Sequence, residues 1–370
     1  MMTKGLRYGL LGCGMMGQEH ILNIQLSGAE VAAIVEPDSN MRARAAQLAP
    51  QAMQLNSVEQ LIDSSELDAL LIATPNYQHG EQLLQIFAKS KLPILVEKPL
   101  VTQIEQVKLI QQAASEHPAP VWVGMEYRFM PPLVNFREQL EAGAIGEMAS
   151  LSIREHRFPF LKKVGNWNRF NRNSGGTLVE KCCHFFDLMR LLVADEPIRI
   201  MASAGQNCNH LDEVYQGESP DILDNAFVIV DFKSGRRAML DLCMFAQGSR
   251  YEQEVCALGS TGKLECLIPG PELLWKEQQA APRVVLSPNK PVGPIDAKIE
   301  IDAKVLAAGA HSGGTYYQHL GFQRAITHHT EVEVGIDDGL KAVVMGMAAQ
   351  HSAVSGQAVN ITDNGYNFSC

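Results

Sequence analysis

Between residues 6 and 124, apolar runs of strand length alternate with stretches whose apolar positions recur every three or four residues. The runs read LRYGLLG, VAAIV, DALLIAT, LPILV and VWVG, with a weaker one near Gln54. Helical stretches begin near Met15, Ser39, Ser57, Asn76 and Thr102. Strands that are apolar throughout, separated by helices with one apolar stripe, predict a parallel sheet wrapped by helices. Ser57 and Gln60 have the spacing of a capping box, which fixes one helix start.

The pattern changes after Pro131 and Pro132. PPLVNFREQLEAGAIG predicts a helix stopped by Gly143, and the runs beyond it look antiparallel. NAFVIVDF and RRAMLDLCMF form a predicted hairpin with Gly235 in its turn, and EVCALGSTGKLECLI a second one turning at GSTG. Residues 287–294 read as an exposed loop, and helices are expected from about Gly314 to His328 and from Asp337 to Ser355. The fold class is therefore α/β: an N-terminal Rossmann-like parallel-sheet domain over residues 1–125, then an α+β domain over residues 126–370 with a largely antiparallel open sheet.

Composition narrows the function. The 370 residues are 46% hydrophobic and 19% charged, enough apolar material for two cores. A formal charge of -10 gives no basic surface to hold nucleic acid or anionic lipid, so the expected partner is a small molecule. The glycine-rich start leaves no room for a secretory leader and no apolar run is long enough to span a membrane, so the expected location is cytoplasmic. The 8 cysteines (Cys13, Cys182, Cys183, Cys208, Cys243, Cys256, Cys266 and Cys370) lack paired spacing. They are expected to be reduced, with the Cys182-Cys183-His184 cluster read as small buried residues and no metal site.

Strand YGLLG runs into GCGMMG, placing Gly12, Gly14 and Gly17 in G-x-G-x-x-G spacing between strand and helix. That spacing allows a tight turn, a close backbone approach to a pyrophosphate, and close helix–strand packing. Met15 and Met16 open the helix, where backbone amides face the phosphates. Glu36 ends the second strand, where an acid accepts hydrogen bonds from ribose hydroxyls and repels a 2′-phosphate; NAD is the expected cofactor, in preference to NADP.

The tetrapeptide LVEK occurs twice, with lysines at Lys98 and Lys181. Lys98 follows the fifth parallel strand, and open α/β sheets bind ligands outside the carboxyl ends of their strands. The surrounding TPNYQHGEQLLQIFAKSKLPILVEKPL closely resembles the signature of the Gfo/Idh/MocA oxidoreductases. The resemblance continues in order through VGMEYRFMPPLVNFREQLEAGAIGE, NWNRFNRNSGGTLVEKCCHFFDLM, GSTGKLE and GGTYYQHLGFQRAI to DDGLKAVVMGMAAQHSAVSG.

By that resemblance Lys98 is a catalytic residue that polarises the reacting hydroxyl, Glu97 lies beside the cofactor, and the bond before Pro99 is cis. Glu180 and His184 fall where the family has an acid and a histidine four residues apart. That spacing puts them on one helical face, with His184 as general base and Glu180 orienting it or passing the proton on. Glu180 stands in place of the commoner aspartate, Cys182 where relatives often carry glycine, and Lys181 is unusual. Lys181 is read either as a contact to an anionic or hydroxyl-rich substrate or as an ion pair to a neighbouring acid such as Glu180 or Glu97.

The resemblance also implies that Thr74, Pro75, Asn76 and His79 line the adenosine side of the cofactor and that Trp167 covers the nicotinamide. Tyr127 and Arg128 would border the substrate. Tyr316 and His319 would return to the site on a late helix, whereas Asp187 is expected to brace the helix of His184. Polar residues in the stretch 154–172, His156, Arg157, Asn166, Asn168 and Arg169 among them, suit a hydroxylated ligand. The expected function is NAD-dependent oxidation of a secondary hydroxyl on a cyclic polyol or sugar by a homo-dimer or homo-tetramer. The alternatives are a glycosidase with a transient redox cycle and a non-catalytic dinucleotide-binding sensor.

Overall fold

The computed structural model describes residues 5–64, 66–270 and 280–369. Six parallel strands form the first sheet: β1 (Arg7–Leu11), β2 (Glu30–Val35), β3 (Met53–Leu55), β4 (Ala69–Ile72), β5 (Ile94–Glu97) and β6 (Val121–Gly124), in the order β3-β2-β1-β4-β5-β6. β4, β5 and β6 are buried at every position, as continuous apolar runs between two helical layers require. The order reverses between β1 and β4, so their carboxyl ends open a crevice. Ser57 caps its helix by accepting from Gln60 N, but the Gln60 side chain returns to Asn56 N rather than to Ser57, so the box is offset by one residue.

The second sheet has ten strands: β7 (Met148–His156), β8 (Pro197–Gly205), β9 (Asn225–Phe232), β10 (Arg237–Cys243), β11 (Gln253–Gly259), β12 (Gly262–Ile268), β13 (Arg283–Pro288), β14 (Ile295–Lys298), β15 (Val359–Thr362) and β16 (Asn367–Ser369). Both expected hairpins form, β9 with β10 and β11 with β12. The sheet is mixed, however, because β7 runs parallel to β10 while pairing antiparallel with β11. β7 enters from a helix instead of a hairpin, so no turn signal in the sequence fixes its direction. β13 extends through Ser287 to Pro288, and the exposed stretch begins only after it.

Side chains on β9 and β10 alternate strictly. Ala226, Val228, Val230, Ala238 and Leu240 face the core, while Phe227, Ile229 and Met239 stay exposed on the opposite face. On the covered face of the sheet, the helix Cys183–Val193 packs on β7 and the helix Ile336–Ser355 on β8. The second of these also reaches β6 and the short helix Thr177–Glu180, joining the two sheets. Gly346 permits that approach: a Cβ there would lie 2.4 Å from Leu178 O. No helix among the described residues is long and apolar enough to cross a membrane.

Where the sheets meet, Arg128 is buried and spends its guanidinium on structure. Its Nε donates to Asp187 at 2.6 Å, a second donor reaches the other Asp187 oxygen, Nη1 donates to Glu333 O at 2.8 Å, and Asp338 lies 3.2 Å from Nη2. Asp187 thus braces its helix as expected, whereas Arg128 is drawn away from a substrate role by this stronger claim on its donors. Removing one member strands a buried charge. Arg128→Leu should lower the unfolding free energy by about 3–5 kcal/mol, and Arg128→Leu/Asp187→Leu should lose less than either single change. Denaturant unfolding measures both.

Candidate active site

The glycine turn is built as its spacing requires. Gly12 has a φ of 84°, and a Cβ there would lie 2.7 Å from Ala73 O. Gly17 brings its helix within reach of the turn, since a Cβ would meet Gly12 O at 2.3 Å. A Cβ on Gly14 would meet nothing within 4 Å, and no side chain of the N-cap residue takes up the first amides of the helix Met15–Leu26. A helix start of this kind takes an anion, and the residues therefore fit a dinucleotide pyrophosphate. Glu36 is buried, accepting from Cys13 N at 2.5 Å and Asp38 N at 2.8 Å. Each carboxylate oxygen keeps a further lone pair for a hydroxyl donor. Arg42, six residues on in the sequence, binds the Glu36 carbonyl at 3.2 Å.

Other residues expected beside the cofactor hold the protein together. His79 is fully buried, with Nδ1 2.8 Å from Pro99 O and Nε2 2.8 Å from Thr74 O, tying the exit of β4 to that of β5. Thr74 Oγ1 donates to Gln82 at 2.6 Å, and Asn76, one residue after Pro75, donates to Ser174 O at 3.3 Å. Trp167 lies edge-on to Tyr77 at a centroid distance of 6.3 Å and under the Lys163 ammonium at 4.4 Å.

Lys98 stands past the end of β5, before a cis bond to Pro99. Its ammonium donates to the Glu180 carbonyl at 3.2 Å, so the two LVEK stretches meet in space. Burial disfavours the charge, but the Cys183 thiol, Glu126, Glu97 and Glu180 outweigh it and hold the Lys98 pKa above its ordinary value. Glu97 turns inward, 2.8 Å from His20 Nε2, and His20 Nδ1 lies 2.9 Å from His319 Nε2. His319 therefore reaches the site indirectly, through a buried chain. Tyr316 packs edge-on against Tyr317 at 5.2 Å, and the structure joins it to none of these groups.

The segment carrying Glu180 and His184 is not one helix. Thr177–Glu180 and Cys183–Val193 are separated by a turn at Lys181 and Cys182, and this break sends the two side chains apart. Glu180 pairs with Lys163 at 2.9 Å, and His184 Nε2 faces Glu126 at 3.5 Å. Lys181 pairs with neither acid expected for it. It reaches Glu155 at 2.7 Å and the Tyr127 hydroxyl at 2.6 Å, which also accepts from Gln253 at 2.9 Å. Burial and Arg157 lower the Lys181 pKa, while burial, Lys98 and Lys181 push that of His184 well below its ordinary value.

Of the polar residues in 154–172, Arg157 joins this cluster, 3.4 Å from Glu155. The others are held elsewhere: His156 by Asp241, Asn168 on Leu161 O, and Arg169 by Glu213, while Asn166 sits at a φ of 53°. Arg157 and Tyr127 line a cavity of about 50 Å³ with Glu252, Gln253, His311 and Ser312. Cys13, Cys182, Cys183 and Cys266 are buried and Cys208 is exposed; Cys370 lies outside the described residues. Glu126 and His311 were not legible as site residues. The one available signal is position, since Glu126 follows the carboxyl end of β6 by two residues.

Two sequence profiles match the chain, one described as "Oxidoreductase family, NAD-binding Rossmann fold" over residues 6–125 and the other as "Oxidoreductase family, C-terminal alpha/beta domain" over residues 137–361. Among curated relatives, an inositol 2-dehydrogenase of Corynebacterium glutamicum (strain R) is 35% identical over 205 residues, covering 54% of this chain and 57% of the relative. The match thus spans little more than half of that protein. An inositol 2-dehydrogenase of Rhizobium meliloti (strain 1021) is 27% identical over 257 residues, covering 70% and 74%. A levoglucosan dehydrogenase solved with NADH and levoglucosan has the same fold, with a TM-score of 0.81 at 20% identity, over 97% of this chain and 100% of that one. With both profiles matched in order over a parallel six-stranded sheet followed by a mixed ten-stranded one, the chain belongs to the Gfo/Idh/MocA family of oxidoreductases.

Proposed function

We propose that the protein is an NAD-dependent dehydrogenase that oxidises a secondary hydroxyl of a cyclic polyol or sugar. The observation that carries this reading is the meeting of Lys98, from the end of β5, with the Glu180–His184 segment beside the crevice of a dinucleotide fold. NAD, when bound, supplies the hydride acceptor. The Lys98 ammonium, kept charged by its acidic surroundings, donates to the reacting oxygen and favours loss of its proton. His184, kept neutral by burial and nearby cations, takes that proton. The relatives named for inositol oxidation support a polyhydroxylated ring as substrate.

Mixing the protein with NAD and a panel of inositols, aldoses, amino sugars and sugar acids should give NADH absorbance with one class. Lys98→Met and His184→Ala should each lower kcat about 10²–10⁴-fold. No reduction of NAD by any member of the panel would sink the dehydrogenase reading.

Preference for NAD over NADP rests on Glu36, whose carboxylate would accept from ribose hydroxyls and repel a 2′-phosphate. Losing a hydrogen bond to a charged group costs about 1.5–3 kcal/mol. Glu36→Ala should therefore raise the KM for NAD about 10–100-fold and improve relative use of NADP, which steady-state kinetics with both cofactors will show.

The exposed row of Phe227, Ile229 and Met239 on the second sheet supports a homo-oligomer formed through that face. Phe227→Glu should reduce the mass found by light scattering without unfolding the chain. An unchanged mass would remove this face from the interface.

A further inference from the structure

Glu126 lies on a short 3₁₀ turn, Glu126–Phe129, that follows β6. It is 1% exposed, and neither of its carboxylate oxygens has a hydrogen-bond partner. An ionised carboxylate in that condition is costly unless charge meets it. Two imidazoles approach it, His184 Nε2 at 3.5 Å and His311 Nε2 at 3.7 Å from Glu126 Oε1, and His311, whose pKa Glu19 raises to about 9 against its burial, brings the charge. His311 is anchored from behind by Glu19 at 2.8 Å, and Glu19 also accepts from Thr315 Oγ1 at 2.7 Å. The Tyr127 ring lies flat on His184, with centroids 4.1 Å apart and planes 6° from parallel, which fixes the plane of the imidazole. The remaining ring nitrogen of His184, Nδ1, is buried without a partner.

We propose that Glu126, and not Glu180, is the carboxylate that works with His184: it accepts a hydrogen bond from Nε2–H, which leaves Nδ1 unprotonated as the base, and it stabilises the imidazolium once Nδ1 takes the hydroxyl proton. The inference rests on the reading of His184 as general base. Glu126 acts through His184 and is a positioning residue, following the logic by which a buried acid sets the tautomer of a catalytic histidine. The separation from Nε2 is longer than a hydrogen bond, and such contacts tighten in the complex with substrate. Glu180 is turned to Lys163 instead.

The groups facing Glu126 are His184 and the Cys183 thiol from the helix Cys183–Val193, His311 from the turn before the helix Gly314–Thr327, Glu97 and Lys98 from the end of β5, and Tyr127 on its own turn. Burial pushes the Glu126 carboxyl up, His311 pulls it down, Glu97 raises it and Lys98 lowers it, leaving a pKa of about 7. His184 titrates well below its ordinary value. Both groups must be unprotonated for activity, and Glu126 is the higher of the two. Turnover should therefore be half-maximal near pH 7, reach its full value above it and fall away below it.

The test pairs pH-dependent kinetics with nitrogen NMR of the His184 ring in the protein without cofactor. Glu126→Gln should lower kcat about 10²–10⁴-fold with KM little changed, abolish the acid limb near neutrality, and shift His184 away from the Nε2–H tautomer expected in the wild type. Glu126→Asp should recover part of both signals. A uniform loss that leaves the acid limb in place, or an unchanged tautomer in Glu126→Gln, would reduce Glu126 to a structural residue and overturn the proposal. An inactive His184→Ala beside an unimpaired Glu126→Gln overturns this inference alone. An active His184→Ala overturns the base reading and the inference with it.

Discussion

A charge taken out of water costs several kcal/mol unless an opposite charge or an oriented dipole meets it, and the seam between the two sheets is crowded with such charges. Lys181 and Arg128 are buried there with Glu97, Glu126, Glu155 and Asp187, and Lys98 and Arg157 stand half-buried among them. The two sheets, the short helix Thr177–Glu180 and the helix Cys183–Val193 are arranged so that nearly every cation has an acid within reach. A shift of one sheet against the other would strand several of these ions together.

The pairs divide by completeness. Arg128 with Asp187 is a closed, bidentate pair with further acceptors around it, the form a stabilising contact takes. Lys98, His184 and Glu126 are held loosely by comparison. The lysine rests on one main-chain carbonyl, the histidine has a bare nitrogen, and the carboxylate has no hydrogen bond. Groups left incomplete inside a cluster that is otherwise satisfied are those able to take up a substrate.

The first sheet was legible because each of its signals is local. Continuous apolar runs, the glycine spacing of Gly12, Gly14 and Gly17, and the acid at Glu36 all depend on neighbours in sequence. The hairpins were legible for the same reason. The direction of β7 was not, since its partners β10 and β11 lie some hundred residues away. In the site, Lys98 and His184 could be placed by strand end and motif. The partners of His184 and Lys181 could not, because the turn at Lys181 and Cys182 breaks the helical spacing that would have joined Glu180 to His184. Lys163, Glu155, His311 and Glu126 come from separate loops and strands, and only the assembled seam brings them together. Arg128 was misread because position in a motif does not reveal where a guanidinium finds its acceptors.

The contact between Lys98 and the Glu180 carbonyl is made to main chain. A peptide oxygen is present whatever side chain its residue carries, so the lysine's anchor depends on the path of the backbone and not on the identity of residue 180. Replacement of the commoner aspartate by glutamate therefore leaves that anchor intact. The acid at this position is free to take up a partner such as Lys163, while the ammonium keeps its hold on the main chain.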